Sequence, residues 1–121
     1  MDISDLFKEE KAPELNRITL DLINGYSLKN SRVETDMPEH GYDKLDVKII
    51  QTCMKYLSDD AIIPNGIYGK YTGYQVQKFK NKKKLGDDMI VDEHTFAMLR
   101  LELTKMYEQK TSKGRGSRNG G

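Results

Sequence analysis

The stretch whose reading decides the fold is PNGIYGKYTGYQVQKF, Pro64 to Phe79, sixteen residues that hold three glycines and three tyrosines ahead of a lysine run. Set against the sequence 23 residues downstream, NGIYGKYT (65–72) falls on DMIVDEHT (88–95), so that a polar residue, an isoleucine two later and a threonine in eighth place coincide. Each copy reads as a tight turn, a short extended pair that sends Ile67 or Ile90 into the core, and a helix start. The threonine of each copy, Thr72 or Thr95, sits three residues in from Gly69 or Asp92, where its hydroxyl meets a free amide or carbonyl of the first turn. On this reading Gly66 and Gly69 supply backbone conformations that a side chain would obstruct.

Helical spacing surrounds the duplication. Val47, Ile50, Met54 and Leu57 recur at helix period, with Ile49, Cys53 and Tyr56 as a second stripe and Asp46 placed to cap the start. Thr72, Val76 and Phe79 share one face of a second helix that runs out in KNKKKLG (80–86). A third helix starts at Asp92, carries Phe96, Leu99, Leu103 and Met106 on one face, and fades near Lys110. The expectation is a mainly α, three-helix domain over residues 44–110.

Residues 1–43 read as an acidic amino-terminal arm. Within it, ITLDLINGYSLKNSRVE (18–34) alternates Ile18, Leu20 and Leu22 with polar residues up to Asn24-Gly25, a strong short hairpin signal because both positions tolerate positive φ. A helix through Leu15, Ile18 and Leu22 competes with that hairpin. VETDMPEHGYD (33–43) reads as a linker, and TSKGRGSRNGG (111–121) as a flexible basic tail.

The chain has 121 residues, enough for one domain with a modest core, and its charged fraction of 32% against 36% apolar residues implies solvated segments around a compact part. Residues 1–43 hold ten acids and five bases, 44–101 seven acids and ten bases, and 102–121 two acids and five bases. A basic excess of three in the middle is too small to mark a nucleic-acid protein. The single cysteine, Cys53, makes no internal disulfide and fits a buried packing role. No amino-terminal stretch has the order of a secretion signal, and the apolar runs are too short to cross a bilayer, so no membrane partner is expected.

The order of features resembles the type 1 peptidoglycan-binding domain, the small three-helix module found beside many cell-wall hydrolases. The resemblance covers about residues 44 to 101 and is carried by DVKIIQTCMKYL, NGIYGKYTGYQVQKF and DDMIVDEHTFAML. Ile50, Gln51 and Met54 match the first-helix pattern of that family. Asn65, Gly66, Tyr68, Gly69 and Thr72 match its signature turn, Asp-Gly-x-aromatic-Gly-x-x-Thr. Gln75, Val76, Phe79 and Lys80 resemble its Ala-Val-x-x-Phe-Gln, and Asp88, Ile90, Thr95 and Leu99 its second turn and closing helix. Four positions depart: Asn65 stands for Asp, Met89 for Gly, Gln75 for a small residue and Lys80 for Gln.

The resemblance implies a non-catalytic wall-binding module whose ligand is a glycan strand or peptide stem. The candidate contacts are Gln51, Tyr68, Tyr71, Tyr74, Gln75 and Lys78. An aromatic face lies against a sugar ring while its hydroxyl bonds, although the core is the favoured place for Tyr68 and Gln51 equally suits bonding the turn backbone. Enzyme activity is not expected, because the acid pairs Asp59-Asp60 and Asp87-Asp88 read as turns and a chain this small offers little cleft. No cofactor is expected, and His40 and His94, far apart and without a metal motif around them, suggest no metal centre.

A wall ligand combined with the missing export signal suggests a bacteriophage virion protein of the tail or baseplate. Leu103, Met106 and Tyr107 would then be covered by residues 15–34 or, with the arm, by other virion proteins. The alternatives are a docking block that keeps the fold without the ligand, which the four departures favour, and a GxxG nucleic-acid binder read from Gly66 to Gly69. The last lacks the three-stranded sheet that such a domain needs.

Overall fold

The computed structural model describes residues 2–8, 11–30, 32–33, 43–58 and 62–116, with side chains as far as Lys110. Residues 34–42 of the linker expected over 33–43, with His40, the acid pair Asp59-Asp60 and the chain end at 117–121 lie outside these residues, while Val33 and Asp43 belong to a strand and a helix cap.

Among the described residues the protein is mainly helical, with four α-helices and one two-stranded sheet. A 3-10 turn, Ile3–Phe7, is followed by α1 (Arg17–Asn24), β1 (Arg32–Val33), α2 (Lys44–Leu57), α3 (Lys70–Lys82), β2 (Val91–Asp92) and α4 (Glu93–Gly116). The strands pair antiparallel with Arg32 opposite Asp92 and Val33 opposite Val91. None of the helices is long and apolar enough to cross a membrane.

The segment around Asn24-Gly25 is a helix and not a hairpin. Asn16 caps it by accepting from the Thr19 amide at 2.9 Å, and Leu20 and Ile23 are buried on one side while Ile18 faces solvent. The period is therefore three to four, and burial of that face outweighs the turn signal. Asn24-Gly25 ends the helix instead: Gly25, at φ −89°, donates its amide to the Asp21 carbonyl at 3.0 Å.

The arm also proves integral to the core. Ile3, Phe7, Leu20, Ile23, Tyr26, Leu28 and Val33 belong to the same buried cluster as Val47, Ile50, Met54, Val76, Phe96 and Leu99. Leu103 is fully buried within that cluster, with Met106 and Tyr107 packed against it, so the chain itself covers Leu103. Asn24 Nδ2 donates to Thr104 Oγ1 at 3.1 Å, and Arg100 stacks on Phe96 while donating to the Tyr26 carbonyl at 2.7 Å. These contacts fasten α1 and its following loop to α4.

The cap of α2 is Asp43, whose carboxylate accepts from the Leu45 amide at 2.9 Å. Asp46, expected in that role, lies inside the first turn and fully buried. It accepts from the Tyr26 hydroxyl, the Lys29 amide at 2.9 Å and the Asn30 amide at 2.9 Å. A buried carboxylate holding three donors on another segment ties the loop after α1 to the start of α2. Burial first, and the Asp46 contact second, push the Tyr26 hydroxyl well above its ordinary pKa. At the far end α4 continues to Gly116, beyond the fading point expected near Lys110.

Candidate functional site

The duplication at 65–72 and 88–95 is real in three dimensions, and the residue each copy sends into the core lies one position later than the sequence expectation. Asn65 Oδ1 accepts from the Ile67 amide at 2.9 Å, and Asp88 Oδ1 from the Ile90 amide at 3.0 Å. Each is a side-chain-closed turn of the Asx type. The closure turns the isoleucine outward: Ile67 is 57% exposed and Ile90 only half-buried. Extended backbone alternates faces, so the next residues, Tyr68 and Val91, fill the core.

Each turn is gripped by one side chain from the preceding helix. Gln51 of α2 donates through Nε2 to Asn65 Oδ1 at 3.2 Å, to the Ile67 carbonyl at 3.0 Å and to Thr72 Oγ1 at 3.1 Å, while its Oε1 accepts from the Gly66 amide at 3.1 Å. Lys80 of α3 does the corresponding work in the second copy, donating through Nζ to Asp88 Oδ1 at 2.6 Å and to the Ile90 carbonyl at 2.9 Å. Lys80 is only 4% exposed, and its partner Asp88 is 51% exposed at the side chain. The neutral pair Gln51 and Asn65 thus has a charged counterpart in Lys80 and Asp88. The Lys80 contact, then the Ile90 amide, holds the Asp88 carboxyl below its ordinary pKa. Tyr68 couples the two turns, its hydroxyl donating to the Met89 carbonyl at 2.5 Å.

The helix starts differ between the copies. Asp92 Oδ1 caps α4 by accepting from the Thr95 amide at 2.8 Å, which also lowers the Asp92 pKa. Gly69 begins α3 with no side-chain cap. Of the two glycines read as architectural, Gly66 is so: φ is +81° and an added Cβ would lie 3.2 Å from Lys44 Cβ. Gly69 is not, since it sits at φ −95° with open space where a Cβ would go.

Gly69 is also one of the residues lining a cleft of about 290 Å³ beside the first turn, with Gln51, Ile63, Asn65, Ile67 and Tyr71, and with the buried Ile62 and Thr72. Ile63, Ile67 and Tyr71 are all exposed at its rim. Along α3, Tyr71 (49% exposed), Tyr74 (52% exposed) and Lys78 stand on one outward face.

The sequence-predicted residues therefore separate into two sets. Tyr71, Tyr74 and Lys78 are presented to solvent together. Tyr68, Gln51 and Gln75 are buried: Tyr68 fills the core between the turns, Gln51 holds the first turn with one edge on the cleft, and Gln75 accepts from Ser58 Oγ at 3.5 Å. Sequence reasoning missed Ile63 and Ile67 as cleft residues, and Lys80 as the second clamp. The signal for Lys80 was present, since it and Gln51 each precede a turn opened by Asn or Asp.

The deeply buried Cys53 has its thiol pushed up to about 12 by burial and stands in no cleft. No group of three His, Cys, Asp or Glu side chains suited to a metal occurs among the described residues. Comparison with protein-family models, curated proteins and solved structures finds no match to this chain.

Proposed function

We propose that this protein is a non-catalytic module that binds peptidoglycan, with α2, α3 and α4 forming a three-helix unit around the duplicated turn. The observation that carries the reading is the cleft beside the first turn, lined by the exposed Ile63, Ile67 and Tyr71 together with Gly69. A small concave site of mixed aromatic and aliphatic lining, with the Gln51 and Asn65 amides at its base, suits a sugar ring or a short peptide stem. The resemblance of residues 44 to 101 to wall-binding domains supports the same ligand class.

Co-sedimentation of the full chain with purified sacculi tests the proposal. The protein pellets with sacculi at low salt, and Tyr71→Ala with Tyr74→Ala abolishes pelleting while leaving the thermal transition in place. Failure of the unmodified protein to pellet at high protein concentration overturns it. A second reading, a docking block within a virion tail or baseplate, is favoured by the exposed Ile18, Ile63, Ile67 and Leu101. Under that reading the chain co-purifies with a protein partner and ignores sacculi.

A further inference from the structure

A second concavity lies between the loop that follows α1 and the amino-terminal half of α4. It holds about 140 Å³ and is lined by Ser27, Leu28, Glu93, Phe96 and Arg100, none of which lines the cleft beside the first turn. That volume is well below the roughly 300 Å³ at which sites for drug-sized ligands begin, so a disaccharide or a nucleotide is too large for it.

Glu93, Phe96 and Arg100 reach the cavity together because positions three and seven apart share one face of a helix. Arg100 leans back over the Phe96 ring, its guanidinium carbon 4.8 Å from the ring centre, in the direction in which helical side chains tilt. The guanidinium is thus level with residue 96, which lies about 4.5 Å along the axis from Glu93. The opposite charges nevertheless do not meet: among the described residues Glu93 makes no ion pair and no hydrogen bond.

The polar groups around this space are only partly used by the fold. Arg100 donates from Nη1 to the carbonyls of Tyr26 at 2.7 Å and Asn24 at 3.3 Å, which pins the guanidinium. Its Nε and Nη2, the edge whose paired donors match a carboxylate, have no acceptor among the described residues. The Ser27 hydroxyl has no partner among them either. Leu28 and Phe96, both buried, supply apolar wall. The helix dipole favours an acid in the first turn of α4 wherever it points; the added observation is a cavity that joins that acid to a pinned guanidinium.

We infer that this cavity binds a small zwitterion, a free α-amino acid, with its carboxylate on Arg100 and Ser27, its ammonium on Glu93 and a short side chain against Leu28 and Phe96. The two charges select the occupant. A bare anion such as acetate or phosphate gains from Arg100 and is opposed by Glu93, and a bare amine meets the reverse. Only a molecule carrying both charges a few ångströms apart gains from both, and an α-amino acid carries them on one carbon. The site shares no residue with the cleft beside the first turn and does not depend on the wall-binding reading.

The test is an NMR titration of the full chain with glycine, L-alanine, D-alanine, L-valine, acetate, methylammonium and inorganic phosphate, following the backbone amides of Ser27, Leu28 and Phe96 and the Arg100 Nε–H. At least one of the amino acids shifts these signals saturably, with a Kd on the order of millimolar, as suits a ligand of so few atoms. Acetate, methylammonium and phosphate bind roughly 3- to 10-fold more weakly or not at all. Glu93→Gln keeps the fold, because the side chain is exposed and bonded to nothing in the chain, and it moves the two ligand types in opposite directions. The amino acid binds roughly 3- to 10-fold more weakly to this variant, and acetate binds at least as well as to the unmodified protein. Arg100 stays in place throughout, since it also fastens α1 to α4.

No saturable shift with any of the four amino acids up to about 50 mM, some tens of times the expected Kd, overturns the inference. Acetate or phosphate binding as tightly as the best amino acid overturns it in favour of a simple anion site. Equal amino-acid affinity in Glu93→Gln, or saturable shifts confined to residues outside the cavity, also overturns it.

Discussion

If the two turns are copies of one device, the charged clamp of the second should function in the first, and Gln51→Lys with Asn65→Asp tests this by a double-mutant cycle. Alone, Gln51→Lys takes the acceptor from the buried Gly66 amide and leaves a buried ammonium facing only neutral acceptors, the Asn65 amide, the Ile67 carbonyl and the Thr72 hydroxyl. An unsatisfied buried donor costs about 1 to 3 kcal/mol, and an uncompensated buried charge more, so a loss of about 3 to 5 kcal/mol is expected. Asn65→Asp alone keeps an oxygen for Gln51 to donate to and costs under about 1 kcal/mol. Together they recreate the Lys80 and Asp88 contact. Because Asp88 is half exposed, solvent screening limits the coupling energy to about 1 to 2 kcal/mol. The double variant should therefore be about 1 to 5 kcal/mol less stable than the unmodified protein, since the Gly66 amide stays without its acceptor. Urea denaturation with a common m-value measures all four corners of the cycle. A coupling energy under about 0.5 kcal/mol, within the additivity expected of independent sites, would refute the equivalence of the turns.

Gly69→Asp installs the cap that Asp92 gives the second copy; a small capping gain over glycine plus reduced unfolded-state entropy stabilises by about 0.5 to 1.5 kcal/mol. Calorimetry should show a higher melting temperature while sacculus binding falls, because the new side chain stands among the residues lining the cleft. Acid unfolding should report Asp88 and Asp92. A carboxyl whose folded pKa lies below its unfolded value of about 3.9 contributes stability that is fully present above that value and lost as pH falls through the folded one. Stability on this account is level above about pH 5 and falls below about pH 4, and Asp88→Asn makes the fall shallower in pH-dependent denaturation. Cys53, buried and with its thiol pushed up to about 12, should react with a thiol-specific chromogenic disulfide at pH 8 only as fast as the protein opens. Stoichiometric reaction within seconds of mixing would contradict its placement.

Helical periodicity and the duplicated segment located α2, α3 and α4 and both turns from sequence, because each signal there is local. Val47, Ile50 and Met54 recur at helix period, and an Asn-Gly or Asp-initiated turn closes on its own side chain. The same locality made Asn24-Gly25 misleading. A hairpin and a helix end both accept that pair, and only the burial of Leu20 and Ile23 against the core chooses between them.

Within the site, Tyr71, Tyr74 and Lys78 were legible because helical spacing relative to Val76 and Phe79 dictates an outward face. The core position of Tyr68 was favoured from sequence too, but the outward Ile67 was not legible. Their placement turns on the hydrogen bond that the Ile67 amide donates to Asn65 Oδ1, which sets the extended residues one position from the expectation, and a one-residue shift exchanges inside for outside. Likewise the use of Lys80 as a clamp depends on Asp88 being folded back to it across the loop that ends α3.

By itself the sequence determined that three segments coil after residue 44, where the chain turns between them, and that one unit is used twice, since these depend on neighbours within a few residues. Tertiary structure decided which face of each extended piece enters the core, that the amino-terminal segment shares that core, and that Gly69 lines a cleft where Asp92 caps a helix. Those outcomes depend on contacts between residues far apart in the chain, and no local pattern carries them.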